Sequence, residues 1–141
     1  MALTILIDTN VLLDDLLMRE PHAADSRQIV DACRAGTLTG VIAAHSISNM
    51  FYILRKVYSV SERRTLLLAL CDMFQVAGID EETIRTALTD EAFPDFEDCL
   101  QEKCAIEYGA DHLVTWNVKD YSASKLSVLT PPELWKLLDG K

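Results

Sequence analysis

Five short, apolar runs punctuate the chain, at residues 2–7 (ALTILI), 38–44, 74–79, 112–116 (HLVTW) and 127–129, separated by stretches of helical character. A strand apolar on both faces must be covered on both faces, and covering helices join strands that run the same way. The alternation therefore predicts an α/β fold: a Rossmann-like three-layer α/β/α sandwich around a central, mostly parallel sheet. Local signals mark the helices. Residues 11–18 and 23–34 read as the first two, the second ending at Gly36. The stripe Ile47, Met50, Phe51, Leu54 and Val57 follows Ser46 as N-cap, and Ser61 opens a helix through Met73. Asp80 caps a helix to about Glu91, Pro94 breaks the chain, residues 95–108 are helical until Gly109, and Pro131-Pro132 open the last helix. No repeat or linker intervenes, so the 141 residues read as one domain.

Several classes of function fall away. No apolar run approaches the roughly 20 residues that cross a bilayer, and residues 1–7 have neither the charged region nor the cleavage site of a signal peptide. Cys33, Cys71, Cys99 and Cys104 form no Cys-x-x-Cys pair and sit among apolar residues, as free thiols packed in a reducing compartment do. The expectation is a cytoplasmic protein without a membrane partner. Glycine-rich phosphate loops and Gly-x-Ser-x-Gly are absent, which excludes dinucleotide, P-loop and nucleophile-elbow chemistry. His22, His45 and His112 are scattered, and His45 reads as a surface or capping residue. The net charge of −9 resides in residues 80–111, where eleven acids face Arg85 and Lys103. The basic footprint of a nucleic-acid binder is missing apart from Arg55, Lys56, Arg63 and Arg64, which read first as solvated surface and second as a phosphate track.

Open parallel sheets bind ligands beyond the carboxyl ends of their strands. Asp8 stands at one such end and Asn117 at another, with Asp120 three positions on. Asp8 also has the address of a helix cap, and Asn117 that of a turn residue. Asp95-Phe96-Glu97-Asp98 opens a helix on which Asp95, Asp98 and Glu102 lie within about 60° of one another, while Glu97 points elsewhere and Phe96, Cys99 and Leu100 form a separate apolar side. Acids favour a first helical turn, yet like charges stacked on one face repel, and a divalent cation removes that repulsion. If that face meets Asp8, the result is an all-oxygen site suited to Mg²⁺ or Mn²⁺.

The chain resembles the PIN-domain family of metal-dependent ribonucleases, through ILIDTNVLLD, then DFEDCLQEKCA, then HLVTWNVKDY, in that order over nearly the whole length. The helix HSISNMFYILRK resembles its counterpart in a subfamily related to VapC-like toxins. The resemblance implies acidic residues converging at one sheet edge. Asp8 and Asp98 match the family's metal-binding acids and are the implied catalytic residues. Asp95, at a position often acidic, is a further implied metal ligand beside them, and Asn117 falls at the fourth metal position, filled by Asp or Asn. The implied reaction is Mg²⁺- or Mn²⁺-dependent hydrolysis of RNA, leaving 5′-phosphate and 3′-hydroxyl ends, with Arg55, Lys56, Arg63 and Arg64 as candidate backbone contacts. RNA is the implied substrate, and an antitoxin protein and a second copy of the chain are candidate partners. Two positions depart from the pattern. Asn49 stands where a Glu is usual, and Trp116 replaces an Arg before Asn117. Asn49 offers a carbonyl oxygen but no charge, and together with Asp120 it is a candidate supporting residue.

Two other readings stand beside this one. A PIN-like module with a decayed site would bind RNA or protein without cutting, and Asn49 favours it. A haloacid-dehalogenase-type phosphatase would use Asp8 as nucleophile, since Asp8-Thr9-Asn10 resembles that family's Asp-x-Asp, although Asn10 lacks the second acid.

Overall fold

In the computed structural model, which describes residues 2–139, the five apolar runs become strands β1 (Leu3–Ile7), β2 (Leu38–Ala43), β3 (Gln75–Ala77), β4 (His112–Val114) and β5 (Ser127–Leu129). They form one sheet in the order β3-β2-β1-β4-β5, with every pairing parallel. Among the described residues, seven α-helices connect and cover it: α1 (Thr9–Leu16), α2 (Ala23–Arg34), α3 (Ala44–Ile53), α4 (Val60–Met73), α5 (Glu81–Thr89), α6 (Phe96–Tyr108) and α7 (Pro131–Asp139).

The period of two along β1 divides the core. Ile5 and Ile7 pack with residues of α1, α2, α3, α4 and α7 on one face, while Leu6 packs with residues of α5 and α6 on the other. All three side chains are fully buried, and each is worth about 1.5–3 kcal/mol of transfer free energy. Gly40 on β2 is required by packing, because a Cβ there would run into the Phe74 ring and Cys33 Sγ. Gly109 closes α6 in the left-handed conformation at φ 87°, which strains residues with a Cβ.

The strand order places the topological switch point between β1 and β4, because the chain leaves β1 towards β2 on one side and later returns to β4 on the other. A crevice therefore opens at the carboxyl ends of these two strands.

Four local expectations are corrected. Ser46 does not cap α3; the helix starts at Ala44, and Ser46 is buried in its first turn. Ser59, not Ser61, caps α4, because Ser59 and Glu62 form a reciprocal capping box: Glu62 N donates to Ser59 Oγ at 3.1 Å and Ser59 N to Glu62 Oε1 at 2.8 Å. Cys71 is exposed, unlike the buried Cys33, Cys99 and Cys104, because it lies on the outer face of α4. A 3₁₀ turn at Val118–Tyr121 follows β4, where the sequence shows only a polar turn. Among the described residues, no helix is long and apolar enough to cross a membrane.

Candidate active site

Asp8 follows β1 directly, and its backbone N–H donates to Val114 O at 2.9 Å, extending the β1–β4 ladder by one residue. Its side chain caps α1 by accepting from Thr9 N at 2.7 Å. Capping is only one of five hydrogen bonds. Oδ1 also accepts from Gln101 Nε2 at 3.1 Å, and Oδ2 accepts from Thr115 Oγ1 at 2.8 Å, Tyr121 OH at 3.1 Å and Asn10 Nδ2 at 3.2 Å. These donors pull the carboxyl towards ionisation, yet burial outweighs them and holds it above the ordinary aspartate value.

Asp98 arrives from the opposite layer. Asp95 caps α6 by accepting from Asp98 N at 2.9 Å, which sets Asp98 in the first turn facing the crevice. Tyr121 OH lies 3.3 Å from Asp98 Oδ1 as well as against Asp8, so the two carboxylates stand within two hydrogen-bond lengths of each other. Burial, then Asp8, Asp95 and Asp120, push the Asp98 carboxyl up to about 6. Burial beside two carboxylates raises the Tyr121 phenol, which keeps its proton and remains a donor.

An open pocket of about 420 Å³ lies above this pair. Its walls are Asp8, Thr9 and Asn10 from the β1–α1 turn, His45, Asn49 and Tyr52 from α3, Glu97, Asp98 and Gln101 from α6, and Asn117 after β4. Asp8, Asp98, Asn49 and Asn117 are thus brought together. Asp95 and Asp120 are not in this pocket; they flank Asp98 in a shallow side depression with Pro94. The helical wheel misjudged two acids. Glu102 is fully buried, binding Lys103 Nζ at 2.7 Å and the backbone N–H of Lys125 at 2.8 Å. Glu97 faces the pocket, where Asn49 Nδ2 donates to its Oε2 at 3.1 Å.

Sequence reasoning also missed Gln101, Ser46, Thr115 and Tyr121. Gln101 had a signal, sitting one turn after Asp98 on α6, and Thr115 is the only hydroxyl in HLVTW; nothing local marks Tyr121. Gln101 Nε2 donates to Asp8 and to Ser46 Oγ at 3.0 Å, while its Oε1 is buried without a donor. Both ring nitrogens of His45 are likewise unpartnered, and burial, its largest influence, holds the imidazole below its usual value.

The basic cluster does not act as a unit. Arg63 is buried, donating to Phe51 O at 2.8 Å with its guanidinium over the Phe51 ring, so it is withdrawn from any phosphate. Arg64 borders a separate apolar depression on α3 and α4. Arg55 stacks on Tyr52, 3.7 Å from the ring centroid, at the rim of the main pocket, and Lys56 is exposed beside it.

A divalent cation fits these donors. Two carboxylates, an orphaned amide oxygen and the Asn117 and Asn49 amides form a hard, oxygen-rich set with no thiol. Among the described residues no three His, Cys, Asp or Glu side chains converge on one point.

The family profile of the PIN domain matches residues 4–119. No curated protein matches the sequence. Among solved structures, the fold is similar to a toxin–antitoxin complex from Klebsiella pneumoniae, with 22% identity over 90% of this chain and 97% of that one and a TM-score of 0.67. It is also similar to VapBC2 from Rickettsia felis bound to a fragment of its promoter DNA (15% identity, 91% and 98% covered, TM-score 0.65). A third is VapC20 of Mycobacterium tuberculosis, a sarcin-ricin loop cleaving toxin (12% identity, 84% and 94% covered, TM-score 0.66). At such identities the likeness is one of fold.

Proposed function

The chain belongs to the PIN-domain family, and from that premise we propose that it is a divalent-metal-dependent ribonuclease, the toxin of a toxin–antitoxin pair. One observation carries the reading: Asp8 and Asp98, from opposite helical layers, meet through Tyr121 in an open pocket at the switch point of the sheet. Asp8 and Asp98 would hold Mg²⁺ or Mn²⁺, assisted by the Asn117 amide, with Asp95 and Asp120 adding negative charge from the flank. When bound, such a cation polarises the phosphodiester and activates water for attack.

The chain's own groups do the positioning. Five donors clamp Asp8 in one orientation, so little reorganisation is needed as charge develops. Asn10 Oδ1 accepts from Trp116 N at 3.2 Å and thereby ties the β1–α1 turn to the segment bearing Asn117. Tyr121 holds a proton between the two acids. Arg55, stacked on Tyr52, and the exposed Lys56 beside it would hold RNA phosphates, a contact that weakens steeply with salt. The family assignment replaces the phosphatase reading.

The Klebsiella and Rickettsia complexes support an antitoxin as partner; RNA as substrate, a homodimer and a cytoplasmic setting complete the reading. The test is cleavage of a labelled single-stranded RNA in Mn²⁺, with and without chelator, by the wild type and Asp8→Asn. Cleavage only by wild type and only with metal supports the nuclease; cleavage that survives either change refutes it. An RNA- or protein-binding module without catalysis is the second reading, favoured by Asn49 in place of the usual Glu, and it is the one that stands if neither cleavage nor metal binding is found.

A further inference from the structure

We infer that the cation site is completed from α6 rather than α3: the Gln101 carbonyl oxygen is a ligand, and Glu97 supplies the negative charge that α3, with Asn49, lacks. That there is a cation to bind rests on the nuclease reading; where its ligands come from is read from α6 itself.

Gln101 is 3% exposed, and its amide can point only one way. Asp8 Oδ1 accepts and cannot donate, so the Nε2 end must face it, at 3.1 Å. Oε1 is thereby turned from Asp8, and it is the one buried side-chain oxygen without a donor among the described residues. Native structures seldom leave a buried acceptor bare. A cation, or a water it holds, satisfies this one. Glu97 and Gln101 are four residues apart, neighbours on one face of α6, and both line the pocket with Asp98.

Glu97 is oriented by the very residue that breaks the family pattern. Asn49 Nδ2 donates to its Oε2 at 3.1 Å, so the α3 amide holds an acid from another helix instead of presenting one. Asp8, Glu97 and Asp98 surround the pocket, and its one cationic lining residue, Arg19, is paired to Asp14 at 2.8 Å. Among the residues that line the pocket, their charge has no free cationic counterpart; Arg55 stands at the rim, stacked on Tyr52. Because no three acids converge on one point among the described residues, Glu97 acts across a water molecule.

The test is Mn²⁺ binding by the full chain without RNA, at fixed ionic strength, followed by calorimetry and by the Mn²⁺-induced rise in melting temperature. Glu97→Gln keeps an acceptor for Asn49 and removes only the charge; it is expected to weaken binding about tenfold. Returning the acid to α3, in the double variant Asn49→Glu with Glu97→Gln, is expected to restore affinity to within about threefold of wild type. Gln101→Met conserves volume, removes Oε1 and is expected to weaken Mn²⁺ at least about tenfold; should it not fold, the Glu97 pair decides. Glu81→Gln, on α5 outside the pocket, controls for overall charge and is expected to bind like wild type. Equal affinity in wild type, Glu97→Gln and Gln101→Met overturns the inference and leaves the nuclease reading intact, and so does an equal loss in Glu81→Gln. A wild type that binds no Mn²⁺ overturns both.

Discussion

Asp8→Asn separates the roles that one side chain combines. In the wild type the carboxylate accepts five hydrogen bonds in a nearly dry position. Asparagine keeps the shape, so no cavity opens. Its carbonyl oxygen can face Thr9 N and Gln101 Nε2, which only donate. Its NH₂ then faces Tyr121, whose hydroxyl can reverse and accept, and Thr115, whose Oγ1 already accepts from Asn10 Nδ2 at 3.2 Å and Asn117 N at 3.0 Å. Asn10 cannot reverse either, since its Oδ1 already accepts from Trp116 N, so the new amide meets donors it cannot satisfy, at a cost of about 1–3 kcal/mol. Against this, the buried charge and its repulsion with Asp98 disappear. Burial holds the Asp8 carboxyl above its ordinary value despite its donors, so at neutral pH ionised Asp8 costs folding free energy, a cost that the neutral asparagine of the variant does not carry. The two effects are of similar size and opposite sign. The metal-free variant should melt within about 3 °C of wild type, equivalent to about 1 kcal/mol for a chain of this length. With Mn²⁺ at a hundredfold excess over its dissociation constant, the wild type should gain about 2.7 kcal/mol, or about 8 °C, and the variant little. Cleavage should fall at least about 100-fold. Paired melts with and without Mn²⁺, alongside the RNA assay, check this. A metal-free melt lowered by more than about 10 °C would refute the reasoning, because Asp8 would then be a structural cap first; an undiminished Mn²⁺ shift would refute its role as ligand.

Three further outcomes are expected. The Asp98 carboxyl is pushed from 3.8 to about 6, chiefly by burial and then by Asp8, so the folded state binds its proton more tightly than the unfolded state. Metal-free stability should therefore fall as pH rises from about 4 to 6, by about 1 kcal/mol once solvent screening of this half-buried group is allowed for; saturating Mn²⁺ should abolish the fall, and a flat metal-free profile in denaturant titrations would count against the pairing. Asn49→Glu alone should tighten Mn²⁺ about tenfold while lowering metal-free stability, since the new carboxylate faces Glu97; unchanged affinity by calorimetry would remove α3 from the site. Arg63→Ala should cost about 1–3 kcal/mol by stranding Phe51 O without altering RNA binding, whereas Lys56→Ala should leave the melt unchanged and reduce the salt slope of RNA affinity by about 1; the reverse pattern would contradict the assigned exposures.

The sequence alone determined what is encoded within a few neighbouring residues. Apolar runs divided by amphipathic stretches dictate parallel strands between helices, because backbone pairing and two-sided burial admit no other economical arrangement. Asp8 at a strand end, Asp80 as a cap and Gly109 as a stop are equally local. The phase of α6 about its own axis is not. Spacing gives the angles between Asp95, Asp98 and Glu102 but no reference direction, and Phe96, which looked like part of the buried side, is 42% exposed while Gln101 and Glu102 are buried. Packing of Cys99, Leu100, Cys104 and Ala105 against the sheet turned the helix so that Glu97 and Gln101 met the pocket and Glu102 went to Lys103. Tyr121 belongs wholly to the tertiary structure. Its hydroxyl reaches Asp8 across 113 positions of sequence, a contact that exists because β4 pairs with β1 and the 3₁₀ turn after β4 folds back beneath α6. Local chemistry chose the elements; the burial of their apolar faces chose which polar groups would share the crevice.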